Sequence, residues 1–152
     1  MNDRIEKRIE LKAPVSKVWQ ALTDHKAFGA WFRVKIDGPF VPGQPSTGQI
    51  AVPGYEHVKW QAVVQKMEAE KLFSYTWHPY AVDPKVDYSQ EQPTLVEFRL
   101  QPSAGGGTVL TVTESGFEKI PAGRRPEALR MNDGGWAGQV KNIARYLGQE
   151  EA

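Results

Sequence analysis

The feature that most constrains how this chain can fold is its C-terminal run, Asp133 to Leu147. Within it Trp136, Val140, Ile143 and Leu147 recur at i, i+4, i+7 and i+11. That spacing lays one apolar stripe along an α-helix, and Leu129, seven residues before Trp136, carries the stripe backwards. A one-sided helix must bury its stripe against another layer. Gly134 and Gly135 stand directly before the tryptophan, and each costs a helix about 1 kcal/mol relative to alanine. Two readings follow. The helix runs through them because its backbone comes close to another element or bends there, or they form a loop and the helix begins at Trp136. Pro121 and Pro126 bracket the approach, and Pro126 suits a first helical turn.

The partner layer is legible as strands. Ile5, Lys7, Ile9 and Leu11 alternate with Glu6, Arg8 and Glu10, the period of a half-buried strand. Ala13-Pro14 ends it. Val15, Val18, Trp19 and Leu22 then predict a short helix over 14–22, and Asp24 is placed to cap a second over 25–31 carrying Phe28 and Trp31. Residues 38–54 hold four prolines and four glycines, which punctuate short strands at 33–37 and 47–52. Val58–Met67 and Leu72–His78 read as paired strands turned at Glu68-Ala69-Glu70. In the second strand Phe73, Tyr75 and Trp77 share one face, and Ser74, Thr76 and His78 the other. Residues 79–93, with turns at Asp83-Pro84 and Gln92-Pro93, read as a long exposed loop bearing Tyr80 and Tyr88. It is either a mobile lid or a solvated connection. Thr94–Leu100 and Thr108–Ser115 form a hairpin about Gly105-Gly106-Gly107. Val96, Phe98 and Leu100 are in phase with Leu110 and Val112, and by parity with Glu114. Strands in succession imply an antiparallel meander covered by the last helix, an α+β architecture in one domain over 1–152.

Composition narrows the function. Nineteen Lys and Arg against 18 Asp and Glu leave a net charge of +1, too little field to draw nucleic acid or an anionic membrane. There is no cysteine, so disulfides, thiolate metal sites and cysteine nucleophiles are excluded. The charged N-terminus lacks the apolar stretch of a signal peptide, and no apolar run approaches the roughly 20 residues of a membrane span. A soluble, cytoplasmic protein is expected. No nucleophile elbow, zinc-binding helix or phosphate loop is present, and His25, His57 and His78 lie far apart. Neither a metal nor a cofactor is expected.

The stretch Ile9-Glu10-Leu11-Lys12-Ala13-Pro14-Val15-Ser16-Lys17-Val18-Trp19-Gln20-Ala21-Leu22-Thr23-Asp24 resembles the opening of the START-like, or SRPBCC, superfamily. The likeness is to homologues of the C-terminal domain of the activator of heat-shock protein 90 ATPase. Phe73-Ser74-Tyr75-Thr76-Trp77, Gly107 to Phe117 and Gly135-Trp136 resemble that family's later signposts, in order. The resemblance implies a helix-grip fold: a curved antiparallel sheet wrapped around the long C-terminal helix, two short helices closing one end, and a cavity between. It also implies a binder of a small apolar, aromatic or lipid-like ligand. Alternatives on this fold are an enzyme of cyclase or hydrolase type and a regulator of heat-shock protein 90. The activator's client contact rests largely on a separate N-terminal domain that this sequence lacks, so chaperone binding is not expected without one.

The residues placed to line such a cavity are Trp31, Trp60, Tyr75, Trp77, His78, Phe98, Glu114, Trp136 and Val140, with Trp31 and Trp136 framing the opening. The aromatic residues either line a pocket or pack on one another. An enzyme would need convergent polar groups, for which only Glu114, His78 and Tyr75 are at hand. Glu114 is either a buried acid in the cavity or a strand-end carboxylate that reaches solvent or pairs with Arg99.

Overall fold

A computed structural model describes residues 4–81, 83 and 85–148. The chain opens with β1 (Ile5–Leu11), followed by α1 (Val15–Thr23) and α2 (His25–Phe32). Pro14 sits just outside α1 as its N-cap, because its ψ of 158° is extended while its carbonyl already accepts from the Lys17 and Val18 N–H groups. The Asp24 side chain caps α2 by accepting from Lys26 N–H. Six strands follow: β2 (Val34–Ile36), β3 (Pro45–Ile50), β4 (Lys59–Glu68), β5 (Leu72–Trp77), β6 (Thr94–Pro102) and β7 (Thr108–Ser115). The chain then enters α3 (Arg125–Tyr146) with Pro126 in its first turn.

All seven strands form one antiparallel sheet in the order β1-β7-β6-β5-β4-β3-β2. From β2 to β7 it is a meander, while β1 pairs with β7, so β1 and β2 are the two edges. The α1–α2 pair carries the chain from one edge to the other. The register of β4 against β5 shifts between Val64 and Lys66, a bulge that bends the sheet. Ser74 is buried here against the parity of its strand. The reason is local: its hydroxyl accepts from the Lys66 N–H at the bulge.

One face of the sheet, α2 and α3 enclose a core made largely of rings. Phe28 of α2 stands at its centre, packed on Trp31, Phe32, Phe40, Trp60, Phe73, Tyr75 and Phe98, mostly edge to face. The fold is therefore α+β of helix-grip type, a curved antiparallel sheet with a long C-terminal helix and two short helices near the N-terminus. No helix among the described residues is long and apolar enough to cross a membrane.

The glycine pair lies inside α3, so the loop reading fails. The close-approach reading fails as well. A Cβ at Gly134, Gly135 or Gly138 would meet nothing within 4 Å. Gly29 of α2 is the contrasting case, because a Cβ there would collide with the Val34 carbonyl oxygen.

Within segment 79–93, Pro79, Tyr80, Tyr88 and Glu91 are anchored to the start of α3. Arg124, at the start of α3, donates through Nε and Nη2 to the Glu91 carboxylate and through Nη1 to the carbonyls of Pro79 and Tyr80. Its guanidinium also lies 4.8 Å from the centre of the Tyr88 ring. Of the turn expected at Asp83-Pro84, Pro84 lies outside the described residues.

Candidate functional site

The parity of β7 carries Glu114 to the inner face beside Leu110 and Val112, and there it is completely buried. The antiparallel register sets its neighbours. Glu114 pairs across to Val96, and Trp77 pairs with Thr94, so the ends of β5, β6 and β7 converge on its carboxylate. On the other side Asn132 and Trp136, one helical turn apart on α3, face it. Oε1 accepts from Asn132 Nδ2 at 2.9 Å and Trp136 Nε1 at 2.8 Å. Oε2 accepts from Trp77 Nε1 at 2.7 Å and is 2.5 Å from Thr94 Oγ1. Glu114 thus neither reaches solvent nor pairs with Arg99, whose guanidinium bonds Glu97 instead.

Burial pushes the Glu114 carboxyl above its ordinary value, and hydrogen bonds from Thr94, Asn132, Trp136 and Trp77 pull the other way. Two of those four partners, the indoles of Trp77 and Trp136, can only donate, and the Asn132 amide accepts from Glu114 only if it is flipped. The Thr94 hydroxyl can do both. It also lies 3.5 Å from the Trp77 carbonyl, so it can turn its hydrogen there and accept a proton carried on Oε2. A proton on Oε2 would therefore have an acceptor in place.

In front of the carboxylate, Phe32, Trp77 and Trp136 form a triangle with each pair of ring centres 6.0 Å apart. With Asn132, Gly135 and Gln139 they line a crevice of about 80 Å³ that opens at the surface beside α3. Gln139 is held in place by donating to the Phe32 carbonyl at 3.1 Å while accepting from Asn142. A space of this size takes roughly two or three waters.

The nine residues read from the sequence divide among several places. Trp77, Trp136 and Glu114 meet at the crevice. Trp31 does not frame it: its Nε1 donates to the Ala21 carbonyl at 2.8 Å, which locks the ring toward α1. With Phe98 and Val140 it lines a seam against α3 with no room for water. The next residue on the helix, Phe32, takes the position at the opening. Trp60 is core, bonded to Ser46. Tyr75 is core as well, with a buried hydroxyl that has no hydrogen-bond partner and burial holding its phenol well above the usual value. His78, one residue beyond β5, does not line the crevice and borders a separate recess with Thr76 and Val63. The three polar groups an enzyme would need are therefore not gathered at one point. Among the described residues no group of three or more His, Cys, Asp or Glu side chains is placed to hold a metal ion.

A curved antiparallel sheet gripping a C-terminal helix, with its interior filled by aromatic side chains, defines the START-like class. The chain belongs to the Activator of Hsp90 ATPase homolog 1-like protein family, whose model matches residues 12–148. No curated protein matches it. Among solved structures it is similar to DynU16, from the dynemicin biosynthetic locus, at 24% identity and a TM-score of 0.74. That match covers 99% of this chain and 49% of DynU16, so this chain spans about half its length. MLL2253 from Mesorhizobium loti is similar at 21% identity and a TM-score of 0.74, covering 98% of this chain and 99% of that one. The Aha1 dimer from Colwellia psychrerythraea is similar at 21% identity and a TM-score of 0.67, covering 93% of this chain and 92% of that one. At these identities the likeness is one of fold.

Sequence reasoning missed Phe32, Thr94, Asn132, Gln139 and Arg124. Asn132 had a signal, since it lies one turn before Trp136 on the same helical face. Thr94 and Phe32 had none short of the strand register and the rotation of α2.

Proposed function

We propose that this protein binds a small apolar, aromatic molecule in the crevice between Phe32, Trp77 and Trp136. The observation that carries the reading is that both indole N–H groups are fastened to one buried carboxylate. Their polar edges are consumed there, and the Thr94 and Asn132 bonds occupy the remaining acceptor sites of Glu114. What remains for a ligand is ring face and C–H edge on preorganised walls. Asn132 and Gln139 form a polar rim, as is usual for a site that orients a mainly apolar guest.

The resting crevice is smaller than the roughly 150 Å³ that accepts a benzene ring, so a guest must displace something. The glycines of α3 supply the means. Gly134, Gly135 and Gly138 have no packing reason to be glycine, and they weaken the helix beside the opening. The helix bends there to admit the ligand.

The test is titration with naphthalene, followed by NMR at the five tryptophan indole N–H groups. The Trp77 and Trp136 signals are expected to shift saturably. Gly135→Leu adds a side chain at the rim where a Cβ meets nothing, so the fold is retained while affinity drops at least tenfold. Indole signals that stay still up to the solubility limit of naphthalene would refute the reading.

A further inference from the structure

The crevice beside α3 carries one acceptor that the carboxylate network leaves unused. Asn132 donates through Nδ2 to Glu114 Oε1 at 2.9 Å. That bond fixes which way round the amide sits, because Oε1 accepts in the charged acid and also in the acid protonated at Oε2. The amide oxygen Oδ1 is left on the other side, and no described residue donates to it. It is also within reach of a ligand. Asn132 lines the crevice and is only partly buried. Among the described residues, the side-chain polar atoms that are both sealed from solvent and unpartnered are the Tyr75 hydroxyl and His78 Nδ1. Asn132 Oδ1 is unpartnered but open.

The other polar side chains of the crevice are largely spoken for. Both indole N–H groups are fastened to Glu114. Gln139 accepts from Asn142 through Oε1 and donates through Nε2 to the Phe32 carbonyl, which leaves it one amide N–H. Gln139 lies seven residues beyond Asn132, two turns of α3 and about 10 Å along its axis. The free oxygen and the free N–H therefore stand at opposite ends of the helical lining, with Gly135 and Trp136 between them.

We infer that the crevice selects phenols, flat aromatic molecules whose hydroxyl group donates to Asn132 Oδ1. The inference rests on the crevice being the ligand site, and it names the group that distinguishes one aromatic guest from another. The class follows from matching donors to acceptors. One open acceptor calls for one donor, which a hydroxyl supplies. An ammonium group brings three donors and would leave two of them unmatched, while a carboxylate or phenolate sets oxygen lone pairs against Oδ1. The hydroxyl also stands clear of the ring edge, so it reaches a rim oxygen while the ring rests on Phe32, Trp77 and Trp136. Asn132 is already held by a buried carboxylate, so little ordering of the acceptor remains to be done on binding.

The experiment titrates the intact protein at neutral pH with 2-naphthol, naphthalene and quinoline, reading the Trp77 and Trp136 indole signals by NMR. Quinoline has the shape of naphthalene and a ring nitrogen that only accepts. 2-Naphthol is expected to bind about two- to tenfold more tightly than naphthalene, the worth of one hydrogen bond, with quinoline weaker than 2-naphthol. Asn132→Leu keeps a side chain of similar size, removes the acceptor and should erase the preference for 2-naphthol. Because that change also takes a donor from Glu114, the ligand series on the wild-type protein decides the matter by itself if the variant fails to fold. Equal affinities for 2-naphthol and naphthalene, with both indoles still shifting, overturn this inference and leave the crevice standing as a site for plain rings. Tighter binding of quinoline than of 2-naphthol overturns it as well and passes selection to the Gln139 N–H. So does a preference for 2-naphthol that survives Asn132→Leu. Indole signals unmoved by all the ligands overturn both the inference and the crevice as a binding site.

Discussion

At the residue scale Glu114 is the most informative group, because one side chain ties three strand ends to the helix they grip. A carboxylate suits this position for geometric reasons: two oxygens meet four hydrogen-bond partners. Glu114→Gln keeps the shape but turns an amide N–H₂ toward donors. Asn132 can flip its amide to compensate, but an indole N–H cannot. A cost of about 1–3 kcal/mol is expected for the unmatched donor. The cost should also depend on pH. Because burial raises the folded pKa of Glu114 above its ordinary 4.5, the folded state holds its proton longer than the unfolded chain. The wild-type contribution is then full below the ordinary value and is lost as pH rises through the folded one. Urea unfolding at several pH values from 4 to 8 should show the gap between wild type and Glu114→Gln narrowing as pH rises. A gap that widens instead would mean that the fold holds the carboxylate charged.

Among the elements, α3 departs furthest from what propensity favours. Three glycines within five residues weaken a helix at about 1 kcal/mol each, and no neighbour requires them. Their backbone is helical, with none among the positive-φ positions, so alanine fits at all three without strain. The combined substitution Gly134→Ala, Gly135→Ala, Gly138→Ala should stabilise the protein by roughly 1–3 kcal/mol, chiefly by narrowing the unfolded ensemble. It should also stiffen the helix beside the crevice and slow naphthalene association. Thermal melts and NMR exchange line shapes read the two effects separately. A gain in stability with unchanged association would remove the glycines from the route of access. Segment 79–93 differs in kind: the single Arg124 side chain gathers its Pro79, Tyr80, Tyr88 and Glu91 at the start of α3.

For the whole molecule, the strands, the hairpin partners and the final helix were legible because period-2 and period-3.6 patterns are written directly into the chain. The Glu114 side of the sheet was legible for the same reason, as was the inward face of Trp77 and Trp136. What was not legible depends on contacts distant in sequence. Whether ten aromatic side chains leave a cavity or fill it is decided by their mutual angles, and here they fill most of it. The choice between Trp31 and Phe32 at the opening turned on one indole hydrogen bond to Ala21. The glycine pair misled because a rule about close packing was applied where nothing packs. The dense ring core also has an optical consequence. Trp77 stands 5.6 Å from Trp60 and 6.0 Å from Trp136, the middle link of three indoles close enough to share an excited state. Their strong ultraviolet transitions should split into a pair of circular dichroism bands of opposite sign. Trp77→Phe should abolish that couplet and Trp31→Phe should spare it, so the protein carries in its own absorption a label-free gauge of whether the grip is closed.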